Sequence, residues 1–247
     1  VSKHKRAPQR HLTLERMLFS QGFGSRHECR GLCLQGRVAL EQQTITDPEM
    51  LLEPHEGLLF HVDEQPWPYH AQAYIALHKP AGYECSQKPS HHPSIYTLLP
   101  APLRRRGVQA AGRLDADTTG LLLLSDDGQF IHKAISGKRH LPKTYLVTTK
   151  HPVSDTICQQ LLRGVQLDDE PAPIAAAACE LQHEHQLLLT ITTGKYHQVK
   201  RMIAAAGNRV TELHRPAVGH FELPPHLKPG AWMWITPEQV FSPAVNA

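Results

Sequence analysis

The chain has no run of eighteen apolar residues, and its first ten residues, Val1 to Arg10, are basic and polar with no apolar stretch. Neither a membrane-spanning helix nor a secretory signal is expected, which points to a cytoplasmic protein. Cysteine is scarce and odd in number, with Cys29, Cys33, Cys85, Cys158 and Cys179 scattered along the chain. That argues against a disulfide framework and fits a reducing compartment. Cys29 and Cys33 lie four apart on an expected helix, but no second pair at metal spacing joins them, so no metal site is expected. The eighteen histidines do not change this. His183 and His185 flank Glu184 in what reads as a hairpin loop, and His91-His92-Pro93 reads as a loop without a nearby ligand. Internal repeats and low-complexity tracts are also absent.

What is present is enough apolar sequence, 40% of 247 residues, for one large domain or a large and a small one. The net charge of +3 is modest but unevenly placed: eight Lys or Arg face only Glu15 and Glu28 between Val1 and Arg37, a local +6. Charge alone leaves two readings open, a segment that seeks a polyanion and a basic tail with a solvated helix face.

Residues 1–11 carry almost nothing to bury and read as a basic flexible arm. Residues 12–62 read as a compact module: a helix up to Gly22, a second helix capped by Ser25 and stopped by Gly36, then short strands over 37–40, 43–45 and 58–62. A unit that small is expected to bind rather than to enclose a large cavity. Two prolines and a polar shift mark 63–72 as a linker. Residues 73–247 read as strands (74–78, 110–113, 120–124, 144–149, 174–181, 187–192) interleaved with a few helices, at 128–135, 154–162 and 197–206. Strands outnumber helices irregularly, so the fold expected is α+β with a largely antiparallel mixed sheet flanked by helices.

The densest segment is Ala111 to Gly128, in which Arg113, Asp115 and Asp117 sit in a polar loop before the apolar run Leu121 to Leu124. That run must be buried, so a carboxylate in the loop is mounted on the end of a core strand. Read alone, Asp115 and Thr118 read as a side-chain-capped turn leading into the strand. The whole segment, Gly112-Arg113-Leu114-Asp115 through Thr118, Gly120, Leu121 to Leu124 and Asp127-Gly128, resembles the pseudouridine synthases that modify small-subunit ribosomal RNA and their large-subunit relatives. Three further segments agree in order: Lys79-Pro80-x-Gly82-Tyr83, Lys143 to Val147, and Gly194 to Met202 followed by Leu213-His214-Arg215. Gly22 to Arg26 and Gly36-Arg37-Val38 are similar to the S4-type RNA-binding fold that precedes the catalytic domain in this family. Where the family commonly has an Asn-Gly turn after the first strand of that module, this chain has Glu41-Gln42-Gln43.

The resemblance implies that the protein turns a uridine of ribosomal RNA into pseudouridine. The bond from N1 to C1′ is broken, the uracil turns, and C5 is joined to C1′, without redox change and so without a cofactor. It places the essential carboxylate at Asp115, acting as a nucleophile at C1′ or a base at C2′, with Lys195 as its basic partner. It places Tyr145 against a flipped-out uracil, with Arg113, Leu114, Thr118 and Leu213 around the pocket. Lys200, Arg201, Arg215 and, in the S4-like module, Arg16, Arg26, Arg30 and Arg37 are implied to hold RNA. Without the resemblance, Lys195 reads as a surface lysine, Tyr145 as strand packing and Leu213 as core. The Gly194 to Met202 wording is closer to the small-subunit branch. The alternatives are a large-subunit enzyme and a non-catalytic RNA-binding or ribosome-assembly protein on the same fold. The partner expected is ribosomal RNA, free or in an assembling subunit, met by a monomer without membrane attachment.

Overall fold

The computed structural model describes residues 11–137 and 140–243; all of the basic arm expected at the N-terminus except His11 lies outside them. The chain divides into two compact units, one running up to Ala73 and including Leu99–Val108, the other formed by Tyr74–Leu98 and the chain from Gln109 onward. Among the described residues no helix is long and apolar enough to cross a membrane.

In the first unit β1 (Leu12–Thr13) leads into α1 (Leu14–Ser20), where Thr13 accepts the Arg16 backbone N–H. Ser25 and Glu28 exchange side-chain and backbone bonds in a capping box that opens α2 (Arg26–Leu34). Leu14, Met17 and Leu18 of α1 and Cys29 and Cys33 of α2 are fully buried with Val38 and Phe60, so both cysteines are core side chains. The strands are β2 (Val38–Leu40), β3 (Gln43–Thr44), β4 (Leu51–Leu52), β5 (Leu59–Val62) and β6 (Gln65–Pro68). β1 pairs with β4, and the remaining four form a sheet in the order β3-β2-β5-β6.

Strand β6 corrects the expectation of a linker over 63–72. Asp63 and Glu64 both take positive φ, 51° and 65°, and close a two-residue turn with Val62 opposite Gln65. Glu41 and Gln42, at 47° and 68°, make the same kind of turn between β2 and β3. Such turns are ordinarily signalled by Asn-Gly, and neither pair contains a glycine. Pro66 and Pro68 are tolerated because β6 is an edge strand. The boundary is also not a single point. The chain returns to this unit at α3 (Ala101–Arg105), and Arg106 then donates to Gln21 Oε1 (2.9 Å) and to the His70 carbonyl (3.0 Å).

The second unit is built on a nine-stranded sheet: β7 (Tyr74–Lys79), β8 (Gln109–Ala110), β9 (Thr119–Ser125), β10 (Lys143–Thr149), β11 (Ala178–His183), β12 (Gln186–Ile191), β13 (Val210–Val218), β14 (Phe221–Glu222) and β15 (Trp232–Trp234). The order is β11-β12-β10-β13-β9-β7-β15, with β14 beside β13 and β8 beside β9. Among the described residues β9 with β13 is the one parallel pairing of named strands, so the sheet is mixed and largely antiparallel, as the sequence implied. Leu121 to Leu124 on β9 are at most 1% exposed, which is why that strand is apolar on both faces. The helix expected over 128–135 is α4 (Gly128–Ile135), and α5 (Asp155–Arg163) and α6 (Gln198–Ala205) begin one residue later than expected. Phe130 and Ala134 of α4 and Val240 of α7 (Pro237–Phe241) join Leu121 and Leu123 in one core. Gly112 and Arg113, expected in a strand, leave the sheet after β8.

Candidate active site

The loop from Gly112 to Thr118 is fixed from beneath by Lys79, the last residue of β7. Its side chain is fully buried, and Nζ donates to the carbonyls of Thr118 (2.8 Å), Pro80 (3.0 Å) and Ala116 (3.2 Å). Burial pushes this ammonium below the ordinary lysine pKa, more than the nearby Asp117 and Asp115 carboxylates offset. Gly82 N–H adds a bond to Ala116 O (2.7 Å), and Thr118 N–H closes the turn on Asp115 O (3.1 Å). The loop is therefore rigid, and it holds Asp115 at the edge of a pocket of about 150 Å³.

Asp115 meets two groups from the start of α6: Lys200 Nζ lies 2.9 Å from Oδ2, and His197 Nε2 lies 3.3 Å from Oδ1. Lys200 also reaches Asp117 at 2.8 Å. Burial alone would lower the Lys200 ammonium, but its bonds to Asp117 and Asp115 outweigh this and raise it; burial alone would likewise raise the Asp117 carboxyl, but Lys200 outweighs it and holds Asp117 below the usual carboxylate range. The expected pairing of Lys195 with Asp115 is not formed. Lys195 Nζ lies 2.5 Å from Glu170 Oε2 instead, on a loop secured where the Gln166 amide donates to the Glu170 carbonyl (2.6 Å). The reason is local. His197 takes the left-handed conformation, φ 47°, immediately before α6, which turns His197 and Lys200 toward Asp115 and leaves Lys195 upstream at the rim. Arg201, one residue beyond Lys200, is paired with Asp169. His197 was not singled out from the sequence, because its position depends on that turn.

Tyr145, Leu114, Thr118 and Leu213 line the pocket with Arg113 and Lys195, so the site brings together the residues the sequence nominated around Asp115. It adds Lys143 and Gln198, which had no role assigned. Gln198 is buried, and its Oε1 accepts the Lys195 N–H and the Thr193 hydroxyl, both at 2.9 Å. Arg215 corrects an expectation. It is 3% exposed, donates Nε to Leu121 O (2.8 Å) and Nη1 to the Tyr145 hydroxyl (3.2 Å), and so anchors the tyrosine rather than facing bulk RNA.

Next to it, His214 Nδ1 lies 2.8 Å from Thr119 Oγ1, with the His78 ring edge-on at 5.7 Å. Burial first, and His78 second, pull the His214 pKa below 6.5. The unfolded chain then binds a proton that the folded chain lacks, so stability is intact above about pH 6.5 and is lost as pH falls toward the lower folded value. The urea midpoint should drop on acidification through this window, and less so in His214→Asn; an equal drop in the variant would remove His214 as the cause.

In the first unit Arg30 reaches Glu49 (2.8 Å) and Glu15 (3.3 Å), and Arg37 reaches Asp63 (2.5 Å). Arg30 and Arg37, expected to hold RNA, are thus paired with carboxylates. Arg16 and Arg26 are exposed, Arg26 lying over the Phe19 ring. Among the described residues no cluster of three or more His, Cys, Asp or Glu could hold a metal ion.

Residues 73–205 match the family described as RNA pseudouridylate synthase, and residues 13–58 match the S4 domain. The chain is 41% identical to the ribosomal small subunit pseudouridine synthase A of Yersinia pestis, over 83% of this chain and 87% of that one. It is 39% identical to the protein of the same name from Escherichia coli strain K12, over 90% and 96%. A crystal structure of a pseudouridylate synthase is 32% identical, with a TM-score of 0.65, over 93% of this chain and 98% of that one.

Proposed function

Because the chain belongs to the RNA pseudouridylate synthase family and carries an S4 domain, we propose that it isomerises a uridine of small-subunit ribosomal RNA to pseudouridine, with Asp115 as the essential carboxylate. The observation that carries this reading is Asp115 itself, rigidly mounted at the mouth of the pocket and bonded to Lys200 and His197. The small-subunit assignment draws on the printed names of the two relatives.

In this reading a flipped uridine enters the pocket with its base against the Tyr145 ring, among Leu114, Thr118 and Leu213. Lys200 takes the charge-holding role that the sequence suggested for Lys195. Attack at C1′ and proton removal at C2′ both require the Asp115 oxygen at the sugar, and neither requires a cofactor. Lys195 and Arg201 reach RNA phosphates by exchanging Glu170 and Asp169 for them, and exposed Arg113 contacts the backbone beside the target. The protein acts as a monomer in the cytoplasm on ribosomal RNA, free or in an assembling subunit.

The first unit, residues 12–73 with 99–108, captures the RNA through Arg16 and Arg26. Arg26→Ala should weaken RNA binding and reduce the slope of log K against log salt by about one, with kcat unchanged. An unaltered slope in a salt titration would remove Arg26 from the RNA contact.

The reaction is tested with small-subunit and large-subunit rRNA transcripts carrying tritium at uridine C5, counting tritium released to water. Release from the small-subunit transcript alone supports the reading. Release from the large-subunit transcript alone transfers the enzyme to that RNA. Release from neither, nor from partly assembled subunits, replaces the enzyme with a scaffold.

A further inference from the structure

Beside the catalytic pocket lies a second depression of about 310 Å³, whose walls include Cys85, Gln87, Tyr96, Gln109, Gly112 and Arg113. Gly112 and Arg113 line both pockets. We propose that this second pocket receives the base of the nucleotide next to the target uridine. The proposal rests on the reading of the protein as an enzyme acting on RNA, and it concerns what that RNA presents beside the uridine.

The chemistry of the walls fits a nucleobase. Gln87 and Gln109 are exposed amides, each offering donors and an acceptor, the complement of a base edge freed from its stack. Tyr96 is half-buried and offers an aromatic ring; its hydroxyl is fixed by accepting the Ala110 N–H at 3.0 Å. None of the lining residues carries a carboxylate, so nothing there repels a phosphate. Arg113 stands between the two pockets, where the phosphate joining two adjacent nucleosides would pass.

The wall is also built in advance of any ligand. The Glu84 carboxylate accepts the backbone N–H groups of Ser90 (3.0 Å), His91 (2.8 Å) and His92 (2.9 Å), and the Ser94 hydroxyl donates to Ser86 O (2.5 Å) and accepts the Tyr96 N–H (3.2 Å). The bonds from the His91, Ser90 and His92 N–H groups draw the Glu84 carboxyl below its ordinary range, and together with the Ser94 bonds they brace the loop that carries Cys85, Gln87 and Tyr96. Preorganisation of this kind reduces the ordering penalty when the ligand enters. The two pockets are mechanically joined as well. Cys85, in the second wall, accepts at its sulfur the N–H of Leu114, which lines the first pocket and precedes Asp115 (3.4 Å).

The test uses a hairpin RNA whose loop holds a single uridine, tritiated at C5, in three forms: intact, with an abasic nucleotide 5′ of the uridine, and with one 3′ of it. KM is read from tritium release and Kd from fluorescence anisotropy, for the wild type and for Gln87→Ala/Gln109→Ala. For the wild type, one of the two abasic RNAs should raise Kd and KM about tenfold, the scale of a lost base contact, with kcat nearly unchanged. The variant should weaken the intact RNA by a similar factor and be blind to that abasic position. Abasic and variant effects that multiply, or a wild type indifferent to both abasic RNAs, overturn the proposal. Absence of tritium release from every RNA tested overturns the proposed reaction instead, and the second pocket is then decided by the Kd comparison alone.

Discussion

Replacing Asp115 by Asn is expected to lower kcat by at least about a thousandfold, the upper part of the range for removal of a positioned acid or base, while leaving RNA affinity within about threefold. The separation follows from the geometry. Asn has nearly the shape of Asp, and the loop that carries residue 115 is held by its backbone carbonyls to buried Lys79, not by the Asp115 side chain. Lys200 is not stranded by the change, because Asp117 remains 2.8 Å away. The fold and the cations proposed to face phosphates therefore persist, and only the oxygen proposed to attack C1′ or to take the C2′ proton is lost. Anisotropy with the rRNA transcript gives the affinity, and single-turnover tritium release gives the rate. Retained turnover in Asp115→Asn would remove Asp115 from the chemistry, whereas a parallel loss of affinity would assign it to binding.

The core of this arrangement was legible because it is written in local patterns. Leu121 to Leu124 announces a strand buried on both faces, and the polar loop before it can only sit at that strand's end. Helix α4 was readable to the residue, since Asp127 caps it and its apolar face recurs at helical spacing. What was not legible depends on contacts distant in sequence or on uncommon backbone. Two lysines five apart, Lys195 and Lys200, look interchangeable, and only the left-handed turn at His197 decides which of them meets Asp115. Strand β13, over residues for which no element was expected, carries Glu212, His214 and Arg215; Arg215 is buried because Leu121 O and Tyr145 supply its partners from elsewhere in the sheet. The return of Leu99–Val108 to the first unit rests on Arg106 finding Gln21 and His70, which no periodicity encodes.

Gly120→Ala is expected to destabilise the second unit by about 2–5 kcal/mol, the sum of a left-handed backbone penalty and a packing clash. Gly120 has φ +110° and lies opposite Arg215 in the parallel pairing of β9 with β13. A Cβ there would stand 2.4 Å from the Arg215 carbonyl oxygen and 2.6 Å from its nitrogen. Both are backbone atoms, so no rotamer change relieves the contact, and the two strands must separate. Separation would also displace Leu213 and Arg215, and with Arg215 the hydroxyl of Tyr145, so the pocket loosens together with the sheet. A loss of this size is a large fraction of ordinary domain stability and should lower Tm by about 4–20 °C. Gly207→Ala separates the two causes. Gly207 has φ +82° but nothing within 4 Å of an added Cβ, so that variant bears only the backbone penalty of about 1–2 kcal/mol. Differential scanning calorimetry should therefore find Gly120→Ala melting well below Gly207→Ala. Equal melting would mean that the close approach of β9 to β13 relaxes at little cost and that the glycine is required for its φ alone.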